Sequence, residues 1–148
     1  MSGILIMPPA SQFFRALADR TRLRVVSLLA RGSLCVCDIQ RILRQPQSSV
    51  SRHLAQLRSA GLIRDRRDGM RTFYALTDWD SGLARAVLAA IRVHLGSDAE
   101  YRKDLDELAH LKAIGECHEE PPERPRRRGV RRAGTVPASR RRLERREA

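Results

Sequence analysis

Aromatic side chains are scarce: Phe, Trp and Tyr make up 4% of a chain that is 42% apolar overall. A core has to be assembled from Leu, Val, Ile and Ala, and 148 residues supply enough of them for about one domain. Long apolar runs are missing too. No segment approaches the ~20 residues needed to cross a bilayer, and the leading MSGILIMPPA lacks the basic flank and apolar length of a secretory signal. Cysteine is sparse and odd in number: of three, two are separated by a single residue, which is not the framework of a disulfide-stapled secreted domain. These absences predict a cytoplasmic protein with no membrane partner, whose thiols stay reduced and free to bind metal. No Ser-His-Asp set, paired carboxylate or phosphate loop is present, so catalysis is not expected.

Negative charge is also in deficit. Lys and Arg number 29 against 17 Asp and Glu, for a formal net charge of +12, and such a balance points to a polyanionic partner. Residues 119–148 alone carry 11 Arg against 5 Glu, a net of +6. Their Pro- and Arg-rich composition (EEPPERPRRRGVRRAG) cannot bury enough apolar surface to fold. They are expected to form a disordered tail, either solubilising or a phosphate-binding arm.

The most telling absence is the lack of any acid between Gln45 and Gly61, QPQSSVSRHLAQLRSAG. At helical pitch Val50, Leu54 and Leu57 share one side, while Ser48, Ser49, Arg52, Gln56 and Ser59 share the other. A dry back and an acid-free hydrogen-bonding front suit a DNA groove, where Arg reads guanine and Gln reads adenine. Upstream, Ser11–Asp19 predicts a short helix with Phe13, Phe14 and Leu17 buried, and Thr21–Ala30 a second one stopped at Gly32. Leu34–Arg44 predicts a third, broken by Gln45-Pro46, with Pro46 assigned to the first position of the next helix. Two helices across so short a turn form a helix-turn-helix whose second member reads DNA. Downstream, strands Leu62–Arg67 and Arg71–Leu76 flank Asp68-Gly69, a strong two-residue hairpin signal. A helix-turn-helix followed by this basic hairpin is a winged helix, and the wing grips phosphates beside the groove. Candidate contacts to double-stranded operator DNA are Gln47, Ser48, Ser49, Ser51, Arg52 and Gln56 on the reading helix and Arg66, Arg67 and Arg71 on the wing.

Gly82–Leu95 is apolar over more of its surface than one side of a small domain can cover (Leu83, Val87, Ala90, Ile91 and His94 in one stripe). A second copy of the same helix is the simplest cover, making the chain a homodimer through terminal helices. Asp98–Ile114 predicts a more polar helix with Tyr101, Leu105, Leu108 and Leu111 or Lys112 on the contact side. The expected organisation is a lead (residues 1–10), a mainly α winged helix-turn-helix with dimerisation helix (11–98), a C-terminal helix ending near Cys117 (99–118) and the tail (119–148).

Cys35 and Cys37, placed on a regular helix, diverge by about 200°. Their place at a helix start favours the thiolate, which binds soft ions, and one ion would bridge them only by distorting that first turn. Phe14-Arg-Ala-Leu-Ala-Asp-Arg-Thr-Arg-Leu23, Leu34-Cys-Val-Cys-Asp-Ile39, Val50-Ser-Arg-His-Leu54 and Ala60-Gly-Leu-Ile63 together resemble the ArsR/SmtB metalloregulators over about residues 11–95. The Cys35-Val-Cys37-Asp38 stretch is similar to the arsenite- and antimonite-responsive members. The resemblance implies a homodimeric repressor with no permanent cofactor. It would leave its operator, and so release metalloid resistance genes, when As(III) or Sb(III) as inducer binds the thiolates of Cys35 and Cys37. Many such members carry a third cysteine where this chain has Gln40, which leaves Cys117 as the candidate third ligand. Two other readings on the same fold are a thiol redox switch pairing Cys35 or Cys37 with Cys117, and a repressor responsive to Cd, Zn or Pb. His118 is read as incidental beside Cys117, His94 as an interface residue, His53 as packing or phosphate-binding, and His110 as solvated. Asp78, Asp80 and His94 do not match the spacing of the family's interhelical zinc site.

Overall fold

A computed structural model describes residues 7–124. Six helices and a small sheet follow one another as α1 (Ala10–Leu17), α2 (Arg20–Leu29), β1 (Leu34–Cys35), α3 (Val36–Leu43), α4 (Gln47–Ser59), β2 (Ile63–Asp68), β3 (Arg71–Leu76), α5 (Gly82–His94), a single 3-10 turn (Leu95–Ser97) and α6 (Ala99–Ala113). This is a winged helix-turn-helix, mainly helical as predicted. Its core is aliphatic, with Val25, Val26, Leu28, Ile39, Val50, Leu54, Leu57, Leu62 and Leu111 all fully enclosed. Phe13 and Trp79 join it, meeting edge to face at 5.3 Å.

Local chemistry explains the helix ends. Asp19 caps α2 by accepting from the Arg22 N–H, and Ser81 and Asp98 do the same for α5 and α6. Helix α3 ends where Arg44 turns into the left-handed region (φ 52°), a conformation that stops a helix. Pro46 is not the first residue of α4. It holds the N-cap position in extended backbone, and its carbonyl accepts from Ser49 and Val50 at 3.0 and 3.1 Å. Gln45 fastens this turn, donating to Thr21 Oγ1 at 3.1 Å and accepting from Ser49 Oγ at 3.3 Å.

The sheet differs from a two-stranded hairpin. Its order is β1-β3-β2, because Leu34 and Cys35 are extended and pair with Tyr74 and Phe73 before helix α3 begins at Val36. The hairpin turn is Gly69-Met70, closed by the Asp68–Arg71 pair, and Gly69 supplies the positive φ of 60° that a tight hairpin requires.

Two other expectations need correction. Phe14 is not core: Phe13 fills that place and Phe14 stands 46% exposed. The apolar side of α6 does not await a partner, since Tyr101, Leu108 and Leu111 are buried within the chain. Arg24 anchors α6 to α2 through a two-pronged pair with Asp104, both contacts at 2.7 Å, and Arg20 grips Glu100 beside it at 2.6 Å. Helix α5 is the one left uncovered. Ile91 and Ala84 turn inward, while Leu83 (44%) and Val93 (69%) face outward. The beginning of the expected tail is docked at Glu120 and Pro121. The rest of it (residues 125–148) and residues 1–6 of the lead lie outside the described residues.

Candidate thiol site and nucleic-acid interface

Cys35 ends β1 and serves as N-cap of α3, with extended backbone (φ −64°, ψ 143°). It therefore never enters the regular helix in which its side chain would diverge from that of Cys37. The two Cα atoms are 5.2 Å apart and the sulfurs are bonded to each other as a disulfide. Cys35 Sγ also accepts from the Cys37 N–H at 3.3 Å. The sulfurs thus converge without any distortion of the first turn of α3, contrary to expectation. Cys35 is buried and Cys37 exposed.

The third group at this point is His118. Its Nδ1 lies 3.5 Å from Cys37 Sγ and 3.2 Å from both carboxylate oxygens of Asp38. Its backbone N–H donates to Asp38 Oδ2 at 2.8 Å. Asp38 is itself buried at the start of α3. Among the described residues, Cys35, Cys37 and His118 are the one group of three metal-ligating side chains gathered within 4.8 Å of one another. Cys117 is not in that group: it packs against the core. Burial pushes its thiol pKa up, and the charge and hydrogen bond of Asp38 add to the shift. His94 and His110 are exposed, and His53 Nδ1 is buried 3.5 Å from Asp19 Oδ1 without a hydrogen bond.

The reading helix presents Gln47, Ser48, Ser51 and Arg52 to solvent, with Ser49 half-buried at its start. Gln56 is less free than its sequence position implies. Its amide oxygen accepts from Arg22, whose Nε also holds the Ala16 carbonyl at 2.6 Å. A glutamine reading adenine uses both amide atoms, and one of these is engaged. On the wing, Arg67 and Arg71 are exposed. Arg66 is half-buried, because Glu120 accepts from its Nε at 2.7 Å and the Pro121 carbonyl accepts from its terminal nitrogen. Glu120 also takes Arg64 at 3.3 Å. Burial opposes ionisation of Glu120, but hydrogen bonds from Ser33 and Arg64 outweigh it and hold the carboxyl below the usual glutamate range. Sequence reasoning missed this strap and the role of His118. The only visible signal was that the two acids opening the arginine-rich stretch follow His118 directly.

A reading helix with an acid-free exposed face, braced by a basic hairpin, defines a winged helix-turn-helix transcription factor. Comparison with known proteins narrows the class. The model of the bacterial regulatory protein arsR family matches residues 19–65. The chain is 41% identical over 100 residues to the arsenic resistance transcriptional regulator ArsR1 of Pseudomonas putida, covering 64% of this chain and 77% of that protein. It is 38% identical over 107 residues to ArsR2 of the same organism, covering 69% and 91%. In fold it is similar to HlyU from Vibrio cholerae N16961, with a TM-score of 0.52 and 30% identity over 58% of this chain and 91% of that one. The chain belongs to the arsR family: it is a winged helix-turn-helix transcriptional repressor, not an enzyme. Among the described residues no helix is long and apolar enough to cross a membrane.

Proposed function

We propose that this repressor binds double-stranded operator DNA as a homodimer in the cytoplasm and is released when As(III) or Sb(III) binds the thiolates of Cys35 and Cys37, opening metalloid resistance genes to transcription. The observation that carries the reading is the convergence of the two sulfurs on one point between the wing sheet and the helix preceding the reader. A single thiophilic atom spans them once the bridge is reduced. The names of the two Pseudomonas relatives point to the same inducer class. Homodimerisation is supported by the outward row Leu83, Ala86, Ala90 and Val93 of α5, which repeats at helical spacing and leaves a greasy seam uncovered.

Operator-fragment anisotropy with the reduced chain tests the reading. Arsenite is expected to weaken binding by 5- to 150-fold, the usual range of such a coupling. A Cys35→Ser, Cys37→Ser double variant is expected to bind DNA normally and ignore arsenite. If that variant still responds, the assignment is wrong. A second reading draws on the bond between Cys35 and Cys37: a redox switch confined to this pair would need oxidant and would ignore arsenite under full reduction.

A further inference from the structure

We propose that Arg22 sets what the reading helix can recognise. It holds the Gln56 side chain by its amide oxygen, so that Gln56 meets DNA with its nitrogen alone and selects guanine rather than adenine. This rests on the reading of the chain as a binder of double-stranded operator DNA. It adds to that reading a base preference and a positioning residue that itself touches no base.

The direction of the amide follows from elementary chemistry. A guanidinium carries five N–H donors and no acceptor, so the atom that Gln56 turns toward it is the oxygen. One terminal nitrogen of Arg22 donates to that oxygen. Arg22 is pinned on its other sides. Its Nε donates to the Ala16 carbonyl at 2.6 Å and its second terminal nitrogen to the Arg15 carbonyl at 3.2 Å, both at the end of α1. Its backbone N–H donates to the Asp19 carboxylate at 2.9 Å, and the same carboxylate lies 3.9 Å from the nitrogen that holds Gln56. With its side chain only 14% exposed, Arg22 is packed in place between α1 and α4. Gln56 itself is exposed, one turn beyond Arg52 on α4. Its free end is therefore an amide nitrogen, which donates and cannot accept.

The base edges sort themselves against such a probe. In the major groove guanine offers two adjacent acceptors, N7 and O6. Adenine sets its N6 donor beside N7, and cytosine presents the N4 donor. A glutamine with both amide atoms free matches adenine. One held by its oxygen puts donor against donor at N6 of adenine, satisfies guanine and is rejected by cytosine.

The test is selection of the full-length reduced chain on a pool of randomised duplexes, with the bound fraction sequenced. The position read by Gln56 is the one at which Gln56→Ala loses its preference while the others keep theirs. There the unaltered chain is expected to favour guanine over adenine roughly three- to tenfold, the worth of one hydrogen bond, with cytosine last. Gln56→Glu keeps the contact to Arg22 and replaces the outward donor by an acceptor, so the preference is expected to move to cytosine. Arg22→Met releases the amide, and the preference is expected to move to adenine at that position alone. An arginine with a merely structural role would instead lower Tm and weaken all sequences alike. Should Arg22→Met fail to fold, Gln56→Glu decides by itself. Adenine preferred by the unaltered chain, or a preference that neither Gln56→Ala nor Gln56→Glu moves, overturns the proposal and leaves the DNA reading standing. A chain that selects no sequence at any position removes the DNA reading and the proposal with it.

Discussion

Glu120→Ala is expected to tighten DNA binding. In the free protein Glu120 occupies Arg66 at 2.7 Å and Arg64 at 3.3 Å, so a phosphate that engages the wing has to displace a carboxylate first. Arg64 is half-exposed and that contact is solvent-screened, worth only a few tenths of a kcal/mol. Arg66 and Glu120 are more sheltered, at 24% and 10% side-chain exposure, and a charge-assisted contact there is worth about 1 kcal/mol or somewhat more. Together they amount to about 1–2 kcal/mol, or roughly 5- to 30-fold in affinity per wing. Because the folded-state pKa of Glu120 is lowered, its docking is complete above the ordinary glutamate pKa and is lost only as pH falls through the depressed value. An assay near pH 7 therefore sees the strap fully closed. Anisotropy titrations across a salt series give both readouts, since each added phosphate contact steepens the log–log slope by about 0.9. The control is Glu119→Ala, which removes the same charge from an exposed neighbour. Equal gains in the two variants would mean that only bulk charge matters, and the competition argument would fail.

Other consequences are open to direct measurement. Asp104→Ala leaves the Arg24 guanidinium without its two-pronged partner between α2 and α6; a loss of about 2–3 kcal/mol is expected, seen as a fall in Tm on the order of 10 °C by calorimetry. Glu100→Ala should do far less, because its near partner Arg20 is solvent-exposed and its contact with Arg24 is long, at 3.7 Å. Leu83→Glu with Val93→Glu should shift sedimentation from dimer to monomer, since each buried aliphatic side chain contributes about 1.5–3 kcal/mol; an unchanged dimer would move the interface elsewhere. Arg52→Ala should reduce discrimination between operator and random duplex, whereas Arg71→Ala should weaken both alike and flatten the salt slope by about 1.

The helices, the reader and the wing were legible in the sequence because each rests on local rules: periodicity for α4, a glycine stop for α2, and a turn signal for the hairpin. What escaped was set by pairing at a distance. Leu34 and Cys35 satisfy their backbone groups on β3, 38 to 40 positions further along, and no periodicity announces that. The same pairing turns Cys35 out of the helix and cancels the expected divergence of the sulfurs. Tyr101, Leu108 and Leu111 were correctly placed on one apolar face, but which surface covers such a face depends on the whole fold. His118 was set aside because its partner, Asp38, lies 80 residues away.

The geometry also changes how a bound ion would reach the DNA. If the sulfurs diverged on α3, ligation would act by bending that helix against the reader. They converge instead, so the reader need not move for an ion to be gripped. The shorter connection runs across the sheet: Cys35 is paired with Phe73, and Phe73 is paired on its other side with Arg66. A second connection runs through the chain, from His118 beside Cys37 to Glu120 on that same Arg66. Both end on the wing. An ion that reset the spacing of Cys35 and Cys37 would act first on the hairpin proposed to grip phosphates and would leave the proposed base-reading face of α4 intact. Since phosphate contacts set affinity and base contacts set selectivity, the proposed inducer would be expected on this architecture to loosen the grip on DNA without altering which sequence is preferred.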